Sequence, residues 1–282
     1  MNITQKGNIA TLSDLHGFSA DRTFDCGQCF RFDKAGEGWQ GVAFGKFATF
    51  TQPSPDKLII SPCTTNEALD WVNFLGLNKD YSIKQAEILS AAMAHGAGEV
   101  MSAAMEAGDG IRILRQEPWE ALCSFIISQN NNISRIKKNI AALSASIGVK
   151  TACGSGYAFP TPRAICTAGE EELRRLGLGF RAKYVLHAAE MVAFGELDLD
   201  AVKNAGFEQG REMLMAIKGV GPKVAACALL FGFDKGEAFP EDVWIKRSLL
   251  RLPAGFTPGI FGENAGLAQQ YLFYLERYEK GK

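Results

Sequence analysis

Gly219-Val220-Gly221-Pro222-Lys223-Val224-Ala225-Ala226-Cys227 (GVGPKVAAC) joins two apolar helical stretches, MLMAIK (213–218) and VAACALLFGF (224–233). The two glycines permit a tight turn with exposed backbone N–H groups, and Pro222 suits the first turn of the helix that follows. Amides in such a turn, backed by the positive end of a helix, can hold a phosphate. The pattern, over 207–233, is a helix-hairpin-helix, which grips a DNA backbone without reading sequence. Gly219, Val220 and Gly221 are its expected backbone contacts. A plain turn between two helices is the competing reading.

Lys223 has two readings. It can be a positive charge against phosphate, or a nucleophile, which requires it to shed its proton part of the time. Asp242 favours the second. It lies 19 positions further on, in FPEDVWIKR (239–247), at the expected start of another helix. An aspartate there can simply cap the helix. Paired with a hairpin lysine, it also fits removal of a base from a sugar. The carboxylate would stabilise an oxocarbenium-like centre, and the lysine would capture C1′ as a Schiff base. Glu241 is adjacent, and spacing does not decide which carboxylate faces inward.

Outward from this stretch, the chain has 282 residues, 47% apolar and 22% charged. That composition excludes a disordered chain, and the length suits two domains. Thirty Lys and Arg against 31 Asp and Glu give a formal charge of −1, which excludes a strongly basic, non-specific polyanion binder but not a local basic face. Seven cysteines are too few for a disulfide scaffold. The N-terminus lacks a basic segment followed by an apolar block, and no apolar run is long enough to span a bilayer. These features lead to the expectation of a soluble intracellular protein, with no membrane partner.

The first sixty residues read as an antiparallel sheet. WQGVAF (39–44) and KFATFT (46–51) alternate around a turn at Gly45, Leu58 to Ile60 forms another strand, and Pro53 and Pro55 break the chain between. After Pro62 the period becomes helical. Helices are expected over 66–75, 83–93, 99–106, from Pro118 onward, and over 133–147, 161–166, 169–176, 181–193, 199–203, 206–217, 222–233, 243–250 and 264–278. This switch gives an α+β class: an N-terminal antiparallel sheet domain with flanking helices (1–112) packed on a helical body (113–282).

Five blocks, in order, then resemble the 8-oxoguanine DNA glycosylase/lyases of the helix-hairpin-helix (HhH-GPD) superfamily. Besides GVGPKVAAC and FPEDV, they are FDCGQCFRF (24–32), WQGVAFGKFATFTQ (39–52), LRQEPWEALCSFIISQNNNISRI (114–136), LRRLGLGFRAKYV (173–185) and LAQQYLF (267–273). The resemblance covers most of the chain. It implies two helical domains forming a DNA cleft, a monomer acting on double-stranded DNA that contains oxidised guanine, and base excision followed by β-elimination. By position it makes Lys223 the Schiff-base nucleophile and Asp242 the catalytic carboxylate. It gives Gly27 a backbone carbonyl that senses the N7 hydrogen of the oxidised base. Gln269 would bond the Watson–Crick edge, and Cys227 and Phe273 would sandwich the ring. Asn130 would fill the space left by the extruded base, Arg135 and Arg181 would bond the estranged cytosine, and Phe180 would act as a wedge.

Each residue also has a plainer reading: helix cap for the Asn run, solvated charge for the arginines, core for Phe273 and Cys227. A non-catalytic DNA-binding hairpin and a glycosylase for another oxidised purine are the alternative functions. The chain departs from the family pattern at Trp244, where a histidine is common, at Leu267, where a tryptophan stands, and at Cys29, where a serine stands. Cys26-Gly27-Gln28-Cys29 resembles a redox or zinc motif, but no second pair accompanies it. No cysteine follows Cys227, so an iron–sulfur cluster is not expected. No cofactor is required. The resemblance allows one structural cation on backbone carbonyls near Met215, Ile217 and Val220.

Overall fold

The computed structural model describes residues 1–279. Its strands are β1 (Asn2–Lys6), β2 (Ile9–Ser13), β3 (Phe32–Ala35), β4 (Gly38–Ala43), β5 (Lys46–Ser54) and β6 (Lys57–Ser61), with a short helix α1 (Ala20–Phe24) between β2 and β3. They form one antiparallel sheet in the order β1-β2-β6-β5-β4-β3. The β4–β5 turn is Phe44-Gly45, with φ of 53° and 67°. Two successive left-handed residues give the turn whose twist matches the strands it joins. Pro53 does not end a strand as its chemistry suggested. β5 continues to Ser54, and its register with β6 shifts between Thr51 and Ser54. A proline at such an irregularity removes no ladder hydrogen bond.

The helical part comprises α2 (Thr65–Phe74), α3 (Tyr81–Ala94), α4 (Gly98–Ala107), α5 (Pro118–Ile127), α6 (Ile133–Ile147), α7 (Pro162–Leu173), α8 (Ala182–Ala193), α9 (Leu199–Asn204), α10 (Phe207–Met215), α11 (Pro222–Gly232), α12 (Val243–Leu249) and α13 (Ala265–Tyr274). The class is α+β, as the patterning implied. Local chemistry sets several ends. Thr64 and Glu67 form a capping box at α2, and Pro118 and Pro222 occupy the first turns of α5 and α11. The two helices expected over 161–176 run together as α7, bent at Gly169 with φ of 72°. Wider and tighter turns over Arg174–Leu178 and Gly179–Arg181 then lead into α8. Regular helix at the C-terminal end stops at Tyr274, short of 278, and becomes a wider turn over Leu275–Glu279.

Among the described residues three apolar cores form, and the third joins segments from both sides of residue 112. The sheet packs on α1 and α2 through Phe24, Phe32, Phe50, Ile60, Trp71 and Phe74. A second core, with Phe125, Ile140, Val185, Leu214 and Leu229, binds α5, α6, α8, α10 and α11. In the third, Ile88 and Met101 of α3 and α4 meet Ile245, Tyr271 and Leu272 of α12 and α13. Each fully buried side chain of this size contributes about 1.5–3 kcal/mol. The chain thus returns at its C-terminal end to pack against helices from its first half. That return brings α13 beside the α1–β3 connection. Among the described residues, no helix is long and apolar enough to cross a membrane.

Candidate active site

A cavity of about 840 Å³ opens between the second and third cores. Lys223 enters it from the first turn of α11. Its Nζ lies 5.9 Å from the centroid of the Phe125 ring. Cys227 sits one helical turn further on and is 4% exposed. Burial pushes its thiol up to about 11, opposed by the charge of Lys223 and a hydrogen bond from it, and aided by the charge of Asp242. These three side chains therefore share one electrostatic environment.

Asp242 is the N-cap of α12. Its Oδ1 accepts from the backbone N–H of Trp244 at 3.0 Å and of Ile245 at 2.9 Å. The capping role and the cavity position coexist, because the cap itself points the carboxylate at the pocket. Glu241 is exposed and does not line the cavity, so the choice the sequence left open falls to Asp242.

The opposite wall comes from α13 and the α1–β3 connection. Gln269 and Phe273, one helical turn apart, both line the cavity. Gln269 is 4% exposed, and its Nε2 donates to the Pro240 carbonyl at 3.2 Å. The Arg277 guanidinium lies over the Phe273 ring at 5.6 Å. Gly27 has φ of 76°, and a Cβ there would stand 3.3 Å from both Phe273 and Arg277. Conformation and space both call for glycine at this position.

Gln28, which the sequence reading passed over, fixes Gly27 in place. It is wholly buried. Its Nε2 donates to the carbonyls of Thr23 at 3.0 Å and Arg112 at 2.7 Å, and its Oε1 accepts from the Leu114 N–H at 2.8 Å. Gln116 Nε2 donates to the Gln28 carbonyl at 2.6 Å. A glutamine set in the apolar run Cys26-Gly27-Gln28-Cys29-Phe30 was the available signal. Gln270, Trp244 and Arg277 also line the cavity without having been singled out as contacts.

Asn130 lines the mouth in a left-handed conformation, φ 47°. Asn132 caps α6, accepting from the Arg135 N–H at 2.9 Å. Phe180 also lines the cavity and is 44% exposed, an uncommon exposure for a phenylalanine. Arg135 and Arg181 lie outside the lining. Arg135 is exposed. Arg181 is only 2% exposed; its Nε donates to the Gln129 carbonyl and its Nη2 to the Asn130 carbonyl, each at 2.7 Å.

In the hairpin, Gly219 has φ of 82°, and a Cβ there would lie 2.5 Å from the Tyr184 ring. Gly221 reaches the cavity edge. The Val220 N–H donates to the Ile217 carbonyl at 3.0 Å and so closes the turn internally. Met215 is the last residue of α10, immediately before this turn. Among the described residues, no cluster of three His, Cys, Asp or Glu side chains is arranged to hold a metal ion. Cys26 and Cys29 point into different cores, and burial pushes each thiol up to about 12, away from thiolate chemistry.

Residues 12–122 match the 8-oxoguanine DNA glycosylase N-terminal domain family, and residues 123–255 match the HhH-GPD superfamily of base excision DNA repair proteins. The chain is 30% identical to the N-glycosylase/DNA lyase OGG1 of Arabidopsis thaliana, over 90% of this chain and 76% of that one. It is 41% identical to the N-glycosylase/DNA lyase of Saccharomyces cerevisiae, over 49% of this chain and 40% of that longer one. The fold is similar to the Clostridium acetobutylicum 8-oxoguanine glycosylase/lyase, solved with duplex DNA bearing cytosine opposite 8-oxoguanine. The TM-score is 0.89 and the identity 33%, with 99% of each chain covered.

Proposed function

The chain belongs to the 8-oxoguanine DNA glycosylases of the HhH-GPD superfamily, and from that premise we propose that it excises 8-oxoguanine from duplex DNA and then cleaves the strand. The observation that carries this reading is the convergence of Lys223, Asp242, Gln269 and Phe273 on one cavity. A flipped base needs an aromatic face and an edge contact, and the sugar behind it needs a nucleophile and an anion.

In this reading the N-glycosidic bond breaks with its electron pair leaving on the base. The Asp242 carboxylate offsets positive charge at C1′. The neutral Lys223 amine bonds to C1′, loses a proton, and forms an imine as the sugar ring opens onto O4′. Loss of a C2′ proton expels the 3′ phosphate, and water then hydrolyses the imine and restores the lysine. Gly27 offers its carbonyl to the N7 hydrogen, and Cys227 and Phe273 hold the two faces of the base. Asn130 and Phe180 occupy the gap in the duplex, and the hairpin amides around Gly219, Val220 and Gly221 hold the backbone. Arg135 contacts the estranged cytosine. Arg181 shares that task only through N–H groups that its carbonyl partners leave free.

Borohydride trapping tests the covalent step. Wild-type protein is expected to crosslink to lesion-bearing duplex in the presence of a chelator, since the proposed chemistry uses no metal. Lys223→Gln is expected to bind the duplex and not crosslink. Asp242→Asn keeps the amine and is expected to trap slowly, most visibly on a preformed abasic site. Trapping of Lys223→Gln at the wild-type rate would assign the nucleophile to another amine.

A further inference from the structure

Among the described residues, four buried side-chain polar atoms lack a hydrogen-bond partner: Gln5 Oε1, Arg112 Nε, Arg211 Nε and Gln270 Oε1. Of these residues, only Gln270 lines the active-site cavity. It is 3% exposed. Burying an amide oxygen without a partner is unfavourable, and an apolar residue of the same size would avoid it. The arrangement around Gln270 supplies a reason for it.

Gln270 Nε2 donates to Gln269 Oε1 at 2.8 Å, and Gln269 Nε2 donates to the Pro240 carbonyl at 3.2 Å. The relay has one sense only. The Pro240 carbonyl accepts and cannot donate, so Gln269 must turn its amino group towards it. Gln269 Oε1 then faces Gln270, which must offer its own amino group in return. Gln270 Oε1 is left over on the far side as the orphan. Turning either carboxamide around sets oxygen against oxygen or amino group against amino group.

The geometry points to Gln270 as a positioning residue that, together with the Pro240 carbonyl, holds the way the Gln269 carboxamide presents its donor and acceptor to a base in the cavity. This rests on the glycosylase reading above. With the relay intact, Gln269 Oε1 keeps one lone pair and Nε2 keeps one hydrogen for the ligand. That fixed polarity suits the Watson–Crick edge of an oxidised guanine, where a ring N–H lies beside a carbonyl. An oxidised adenine carries the opposite order, a ring acceptor beside an amino group, and is disfavoured. Without Gln270, the longer 3.2 Å bond to the Pro240 carbonyl alone opposes turning of the Gln269 carboxamide, which then reads the second edge more readily.

The experiment compares excision of 8-oxoguanine and of 8-oxoadenine, each opposite cytosine, by wild type, Gln270→Met and Gln270→Glu. Each rate is normalised to strand cleavage at a preformed abasic site by the same protein. Wild type is expected to prefer 8-oxoguanine. Gln270→Met keeps the volume and removes both the relay and the orphan, so it should fold at least as well and lose about tenfold or more of that preference.

Gln270→Glu adds a signature that packing alone does not produce. A carboxylate facing Gln269 Oε1 breaks the relay, whereas a protonated carboxyl donates to Oε1 and restores it. The preference should therefore be low at high pH and recover as the pH falls. Lys223, Asp242 and Arg277 line the same cavity in all three proteins and act on both lesions, so their contribution divides out of the ratio. A wild-type preference retained in Gln270→Met, or a pH-independent ratio in Gln270→Glu, overturns the inference and leaves the glycosylase reading standing. Failure of the wild type to excise either base would instead remove that reading itself.

Discussion

The Arg181 guanidinium donates to the Asn130 carbonyl at 2.7 Å, so a buried cation holds the left-handed residue at the mouth of the cavity. The same guanidinium holds the Gln129 carbonyl, and Phe180 stacks on it at 4.4 Å. The Asn130 turn and the Phe180 turn are therefore one mechanical unit, although 50 residues separate them.

Arg181→Ala is expected to lower unfolding free energy by about 2–4 kcal/mol, because two part-buried carbonyls lose charge-assisted donors from a buried guanidinium. Urea denaturation measures this. A midpoint equal to wild type would show that the loop holds itself.

Arg135 is exposed, and its backbone rather than its side chain serves the α6 cap. Arg135→Ala should leave stability within about 0.5 kcal/mol and relax discrimination between cytosine and adenine opposite the lesion. An unchanged ratio of excision rates across the two duplexes would reject the cytosine contact.

Gln269→Ala and Phe273→Ala should each slow lesion excision about tenfold or more, in line with the worth of base–aromatic stacking. Binding to an abasic-site analogue should fall much less, because no base then fills the cavity. Equal losses on both DNAs, in folded protein, would argue against the pocket assignment.

Glu120 on α5 is buried, and burial pushes its carboxyl from an ordinary 4.5 up to about 7, against the pull of Arg31 at 4.0 Å and with a further push from Glu117. Between these two values the folded protein holds a proton that the unfolded chain has released. Stability therefore falls as pH rises from about 4.5 to about 7 and is level above, by at most about 3 kcal/mol from this group. Glu120→Gln should lack this part of the slope in urea titrations at pH 5, 6, 7 and 8. Parallel slopes for the two proteins would contradict the assignment.

Gln28 makes four side-chain hydrogen bonds, one of them to Cys26 Sγ, with no solvent exposure. Gln28→Ala leaves the Leu114 N–H and two carbonyls buried and should cost about 2–5 kcal/mol. Added lesion DNA should recover part of the loss in thermal melts, by binding the folded state. A melting temperature like that of wild type would show that the Gly27 turn does not depend on Gln28.

The sequence by itself determined the elements and the chemistry-bearing positions whose signals are local. The Gly219–Pro222 turn, the Pro118 and Pro222 helix starts and the α6 span from Ile133 to Ile147 depend on neighbouring residues a few positions apart. The return of α13 onto α3 and α4, which places Gln269 and Phe273 opposite Lys223, was decided by packing between segments over 150 residues apart. So was the burial of Arg181, whose exposed and buried uses have the same one-letter code. Asp242 rather than Glu241 faces the cavity because the cap at α12 fixes one carboxylate, a choice made by backbone direction. The Gln270–Gln269–Pro240 relay lay beyond the sequence for the same reason. The sense of a hydrogen bond is set by what stands opposite, and only the folded chain brings the Pro240 carbonyl within reach of α13.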